Sequence, residues 1–408
     1  MPRFTEVATL VVRDQVFYDW ESVWVQQRWT EDSVLFRFTA AERDPIPTLW
    51  QRLQFKPRDP CSVYLGGQLA ASGLITTRQT AYDANSHGVL LMGRGLSWYA
   101  ARGSVLDKKG DFSGMTFEQA ARKILAPFGV IVKTIGTLDA TPFPRLQVNP
   151  GQRVWDVLEE WARPRGIILG SDEEGAFLLI GKHTKPIVMD LVEGYNILKM
   201  QCTIDVQHIY SDLVVRGQTA ATDGHSGPTA SEQEGQVKST AARYSPLLTV
   251  AGQPVWDKAE VQRRAEYERQ WTEGQEVSAT VVVQGWFRGG GGFADPGPAG
   301  QLWRAGDHVM VKSPMAMLNQ ELKIEVATFT QDSNSGTLTT LDLKAPWLLN
   351  GKSDFNVGQQ GVLQDPDSRP PEPLTQPESG PPEPPPATIP PPNELILPPS
   401  QLPPLGRE

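Results

Sequence analysis

Between Cys61 and Tyr99 the chain reads CSVYLGGQLAASGLITTRQTAYDANSHGVLLMGRGLSWY, and this run constrains the fold more than any other. Gly66-Gly67 separates two β-rich runs, where a tight hairpin turn needs positive φ at both central residues. The run predicts a strand over 62–65, a second over 68–71, a bulge or bend at Gly73 and a third strand over 74–82. Asp83 to Gly88 is a turn cluster, and Val89 to Met92 reads as a fourth strand. Short strands joined by tight turns make an antiparallel meander, the unit of small barrels.

The same signal frames the chain on both sides. Val7 to Val12, Val16-Phe17, Ser22 to Arg28 and Ser33 to Thr39 alternate with period 2, Val34, Phe36 and Phe38 falling on one face. Residues 1–95 are therefore expected to form a first β-barrel domain. The pattern turns helical in 96–189. Thr116 and Gln119 have capping-box spacing before an apolar stripe, and Gly129 stops that helix. A second helix over 153–163 ends at Pro164 and Gly166, and a hairpin follows over 167–180. Residues 190–349 return to β pattern and are expected to form a second barrel. That barrel carries a polar loop over 217–240, a helix over 256–271 with Asp257 and Glu260 as its capping box, and a flexible glycine loop over 285–300. Strands are expected over 276–286, 302–312, 321–330 and 337–343. The fold class is thus mainly β with an α+β insert: two similar antiparallel β-barrel domains, a helix-plus-hairpin region between them, and a Pro-rich extended tail.

That tail, within 350–408, cannot fold as helix or sheet. From Asp365 to Glu408 it holds 17 of the 35 prolines, which fix φ and remove donors. Extended polyproline II is expected, acting as a spacer or as a strap along a partner. Its apolar residues Leu395, Ile396, Leu397, Leu402 and Leu405 are the candidate partner contacts. The tail's seven acids and two arginines carry −5 of the net charge of −9, so the body is near neutral. A chain-wide basic footprint for nucleic acid is absent. No apolar run is long enough to span a membrane, and no signal peptide is visible at Met1 to Glu6. Cys61 and Cys202 have no metal spacing and read as small buried residues.

The residues offer little chemistry. Gly351-Lys352-Ser353 ends like a phosphate loop, but Pro346 stands where the motif needs glycine. His87, His183, His208, His225 and His308 show no ligand spacing. Glu159-Glu160 diverge on a helix, Asp172 to Glu174 sit in a turn, and Glu266 and Glu268 lie on a charged helix face. No catalytic, cofactor-binding or metal residue is expected. Pro150-Gly151 before a helix carrying Trp155 is similar to the start of a LysM glycan-binding module. The second helix such a module needs is missing, so Trp155 and Trp161 are expected in the core.

Four elements in order, Gly66-Gly67, Ser72-Gly73, Asp83-Ala84-Asn85-Ser86-His87 and Gly93-Arg94-Gly95-Leu96, resemble phage tail baseplate hub proteins of the Mu-like tail hub family. MTFEQAARKILAPFGV (115–130), the unit over 148–180 and the run from Leu302 to Leu349 extend the resemblance to about 5–349. The resemblance implies a non-enzymatic virion protein assembled in the host cytoplasm. It implies a homotrimer whose two barrels per chain make a six-fold-like ring. That ring would join the hexameric tail tube to the trimeric central spike, contact other baseplate proteins and let DNA pass without specific binding. The competing reading is a hub-associated cell-wall glycan-binding protein or hydrolase.

Overall fold

Alternating burial along the strands shows which face of each one is inside. The computed structural model describes residues 6–42, 55–82, 87–183, 185–217, 233–239, 243–250, 258–289 and 300–346. The first half contains β1 (Ala8–Val12), β2 (Gln15–Phe17), β3 (Ser22–Arg28), β4 (Leu35–Glu42), β5 (Pro60–Leu65), β6 (Gln68–Tyr82) and β7 (His87–Gly95). A middle region follows with α1 (Ser97–Arg102), α2 (Phe117–Leu125), β8 (Val132–Ile135), α3 (Val154–Ala162), β9 (Ile168–Ser171) and β10 (Phe177–Ile180). The second half has β11 (Ile187–Val192), β12 (Lys199–Ile204), β16 (Val277–Gln284), β17 (His308–Ser313), β18 (Leu318–Asp332) and β19 (Gly336–Lys344). Between β12 and β16 it carries an insertion of β13 (Asp212–Gly217), β14 (Gln233–Lys238), β15 (Pro246–Val250) and α4 (Lys258–Glu273).

Hydrogen bonding joins both halves into one 13-stranded sheet. In the first half the order is β3-β4-β7-β6-β5-β1, with β2 beyond β1. In the second it is β12-β16-β19-β18-β17-β11. Taken strand for strand, the two orders are the same. The long strands β6 and β18 both have 15 residues, and β7 and β19 both have 9. Each long strand slips register against its hairpin partner at the matching place, between Ile75 and Thr77 and between Ile324 and Val326. The halves differ at the periphery, where β1 runs antiparallel to β5 but β11 runs parallel to β17.

Three expectations are corrected. Residues 68–82 form one strand, with no break at Gly73. A side chain at Gly73 would overlap the Arg94 carbonyl, so glycine serves close backbone approach there rather than a bend. The strand expected over 302–312 is shorter, because Leu302 only bridges Phe287 and pairing starts at His308. No pairing among the described residues closes either half into a barrel. The second part of β18 pairs instead with β3, so the sheet extends from one half into the other.

One face of this sheet is buried under a shared core that includes Val25, Phe36, Phe38, Leu91, Val281, Trp286, Phe329 and Leu341. Trp286 is fully buried and its indole donates to the Thr330 carbonyl at 3.2 Å. Burying each such side chain contributes about 1.5–3 kcal/mol. Gly93, in the Gly-Arg-Gly-Leu box, is needed because any Cβ would overlap the Phe36 ring and lie 2.7 Å from the Leu74 carbonyl. The turn at Gly66-Gly67 has φ of 53° and 83°, as expected.

The middle region has its own core and its own three-stranded sheet, β8-β10-β9, in which β8 is parallel to β10. The Thr116–Gln119 capping box forms in both directions. Trp161 is buried, and Trp155 packs edge-on against Phe177. The turn over 83–86, most of the loops over 217–240 and 285–300, the Asp257 cap, residues 351–353 and the whole tail lie outside the described residues.

Candidate assembly interface

The joint between the halves is a seven-residue antiparallel pairing. It runs from Val326 opposite Arg28 to Asp332 opposite Ser22. β-branched and aromatic residues build β3, and alternation splits it cleanly: Val23 and Val25 are buried while Trp24 and Gln26 are half-exposed. Across the joint, Gln26 Nε2 donates to Thr328 Oγ1 at 3.1 Å on the half-exposed face. On the core face Val25 opposes Phe329, and both are fully buried.

Strand order gives each side of the joint a counterpart. β12 is the counterpart of β3, and the second part of β6 is the counterpart of the second part of β18. Both counterparts are open. Among the described residues β12 pairs with β16 alone, and β6 beyond Ile75 pairs with β7 alone. Thr77, Gln79, Thr80 and Ala81 are exposed, as are Gln201, Thr203 and Ile204. The entry of each strand repeats as well. Glu21 N donates to Thr39 O at 2.8 Å, and Leu198 N donates to Val282 O at 2.9 Å. Among the described residues there are therefore one filled joint and two half-joints of the same kind.

Trp29, immediately after β3, pins the joint from below. Its backbone N–H donates to the Glu325 carbonyl at 2.9 Å. Its ring packs with Leu178 and Ile180 of the middle region. Lys323 Nζ lies 4.4 Å and Lys185 Nζ 4.8 Å from the ring. One side chain thus touches both halves and the middle region. Lys323 is 1% exposed, and burial, then the Lys185 charge, holds its ammonium well below the usual lysine range. Sequence spacing could not reveal this group, because positions 29, 183, 185, 308 and 323 meet only through tertiary pairing. The histidines expected to be bland fall here: His183 faces Trp29 with ring centroids 6.0 Å apart, and His308 Nδ1 meets Glu321.

Burial lowers the pKa of both His183 and His308, with the Lys185 and Lys323 charges adding to it. The hydrogen bonds to the Gly181 carbonyl and to Glu321 oppose this without reversing it. The unfolded chain then binds protons more readily, so stability is present above the ordinary histidine range and lost as pH falls through it. Thermal unfolding is expected at a lower temperature at about pH 5.5 than at about pH 7.5. Half-buried Glu325, whose carboxyl is pushed up by desolvation, acts in the opposite sense. The double substitution His183→Gln/His308→Gln isolates the histidine part and should flatten the difference. An unchanged difference would exclude the pair as its source.

Most of the acidic residues weighed from sequence are drawn into ion pairs, whereas Glu160 is not, and burial pushes its carboxyl up. Glu159 pairs with Arg163, Asp172 and Glu174 share Lys133, Glu266 pairs with Arg269, and Glu268 with Arg264. Glu260 meets Arg165, both buried, which ties α4 to the end of α3. No group of three or more His, Cys, Asp or Glu able to hold a metal ion occurs among the described residues. Leu395, Ile396, Leu397, Leu402 and Leu405 lie outside them.

Comparison with known proteins fits this geometry. A family model described as the second domain of gp44-like baseplate hub proteins matches residues 101–182, which fall within the middle region. The chain is 24% identical over 347 residues to the baseplate hub protein gp44 of Escherichia phage Mu, covering 83% of this chain and 88% of that one. The crystal structure of the 43 kDa tail protein of prophage MuSo2 from Shewanella oneidensis superposes with a TM-score of 0.70 at 21% identity, over 85% of this chain and all of that one. A tail protein from Neisseria meningitidis MC58 gives a TM-score of 0.68 at 20% identity, over 85% and 98%. The resemblance to the Mu-like tail hub family is therefore real and extends over most of the chain.

Proposed function

We propose that this chain is the structural, non-catalytic hub of a phage tail baseplate, and that three copies close into a ring of six similar wall segments. The observation that carries the ring is the repeated strand order, with one joint filled inside the chain and a matching open edge at each end. A head-to-tail contact of that kind generates either a closed ring or an open filament. A ring of three chains with six alike segments can face a six-fold tube on one side and a three-fold spike on the other. The half-exposed sheet face is the natural lining of its channel. It carries hydroxyls and amides, such as Thr280, Thr328, Thr330, Thr340 and Gln26, beside apolar Trp24, Leu90 and Met92. Arg28 and Arg94 have acidic neighbours in Glu31 and Asp32, and Arg37 shares the face with Asp342, so the lining mixes both signs instead of forming a basic cluster to hold passing phosphates. The Pro-rich tail, with its leucine and isoleucine contacts, is proposed as the strap to a partner.

The mass in solution, taken with a low-resolution projection, tests this reading. The full chain and a chain ending at Leu363 should both form a three-fold ring, and only the full chain should hold its partner. A monomer that cleaves cell wall would support the hydrolase instead.

A further inference from the structure

We infer that the ring is closed by β-strand pairing between copies: β12 of one copy lies antiparallel against residues 77–81 of β6 in the next. The inference rests on the ring reading and adds to it an interface, a partner strand and a register.

The register follows from the filled joint. Matching bulges place Thr77 where the second half has Val326. Following the ladder from there, Thr77 pairs with Met92 and Val326 with Asp342. Met92 pairs with Arg37 and Asp342 with Thr280. Arg37 pairs with Trp24 and Thr280 with Gln201. Gln201 therefore stands where the first half has Trp24. Within the chain Trp24 opposes Thr330 and Val25 opposes Phe329. Transferred to two copies, Ala81 opposes Gln201, Thr80 opposes Cys202, and Gln79 opposes Thr203.

Backbone polarity agrees. Trp29 N donates to Glu325 O directly across the joint, so alternate residues of β3, including Val25, point their N–H groups at β18. Asp205 N donates to Glu276 O, so alternate residues of β12 back to Gln201 point theirs at β16. Cys202, the counterpart of Val25, then points its N–H outward, as pairing with a second copy requires. Each edge carries little of the protection that free edges usually have. Residues 77–81 contain no proline or bulge and one charge, Arg78, and 201–204 contain no proline, bulge or charge. Two regular edges with the same bonding polarity as a joint already made inside the chain fit a second copy of that chain.

Directly opposed antiparallel residues have Cα atoms about 4.5–5.5 Å apart, within the disulfide range. Native Cys202 is a free thiol. The substitution Thr80→Cys in the full-length protein should therefore give a covalent trimer under a mild oxidant. On a non-reducing denaturing gel it should run at three times the 45.0 kDa chain mass and collapse on reduction. The control Thr80→Cys/Cys202→Ser should stay at the single-chain mass. Gln79→Cys/Thr203→Cys in a Cys202→Ser background should also link. A native trimer in which neither pair links overturns the strand pairing and leaves the ring reading standing. A monomer overturns both.

Discussion

Proline at position 202 is expected to give a folded chain that no longer forms a ring. The reason is the direction of one N–H group. Asp205 N bonds Glu276 O, which places the Gln201 and Thr203 donors on the β16 side and the Cys202 donor on the open side. Cys202→Pro removes a donor that the monomer does not use, and proline is tolerated on sheet edges. In the closed ring the same substitution removes a ladder hydrogen bond and leaves the neighbour's carbonyl without its donor, at a cost of about 1–3 kcal/mol per joint. Three joints must close together, so association should weaken by well over a hundredfold. Light scattering should report single-chain mass with the circular dichroism of the parent. Gln201→Pro is the contrasting case: its N–H faces β16, so it should damage the fold itself. A Cys202→Pro protein that remains trimeric would show that β12 does not sit at the interface.

Trp29→Ala should be the most damaging single change to the body of the chain. The ring is 4% exposed and holds contacts from both halves and the middle region. Truncating a buried Trp costs about 3–5 kcal/mol, as transfer and cavity terms combined. Here the loss also strips Lys323 of the aromatic face over its ammonium and opens space beneath the β3–β18 joint. The three regions should lose cooperativity, so a single unfolding transition should split in two. Trp29→Phe keeps an aromatic face and should recover part of the stability. If Trp29→Ala unfolds in one transition at the parent temperature, the pin is not holding the regions together.

The helices were legible because their signals are local. Thr116 and Gln119 are three residues apart, and both bonds they make lie within one turn. β3 was legible to the residue, since its alternation is set by one buried face. Gly73 was misread because a glycine in a strand has two uses, and the choice depends on Arg94, which sequence does not place beside it. The joint was illegible for a stronger reason. Two barrels and one continuous sheet demand the same alternation, strand by strand. Only the partner chosen by the outer edge of β18 distinguishes them, and that partner, β3, lies at the other end of the body. The buried basic group around Trp29 was hidden in the same way, since no spacing connects His183 with His308.

That long reach also sets a clock. Arg28 and Val326 are partners, nearly 300 residues apart. At about 5–20 residues per second of synthesis, β18 emerges roughly 15–60 s after β3. Throughout that interval β3 has no partner from its own chain. The β18 of a chain further along in synthesis offers the same backbone edge, so swapping between nascent chains competes with correct closure, and slower synthesis lengthens the window for it.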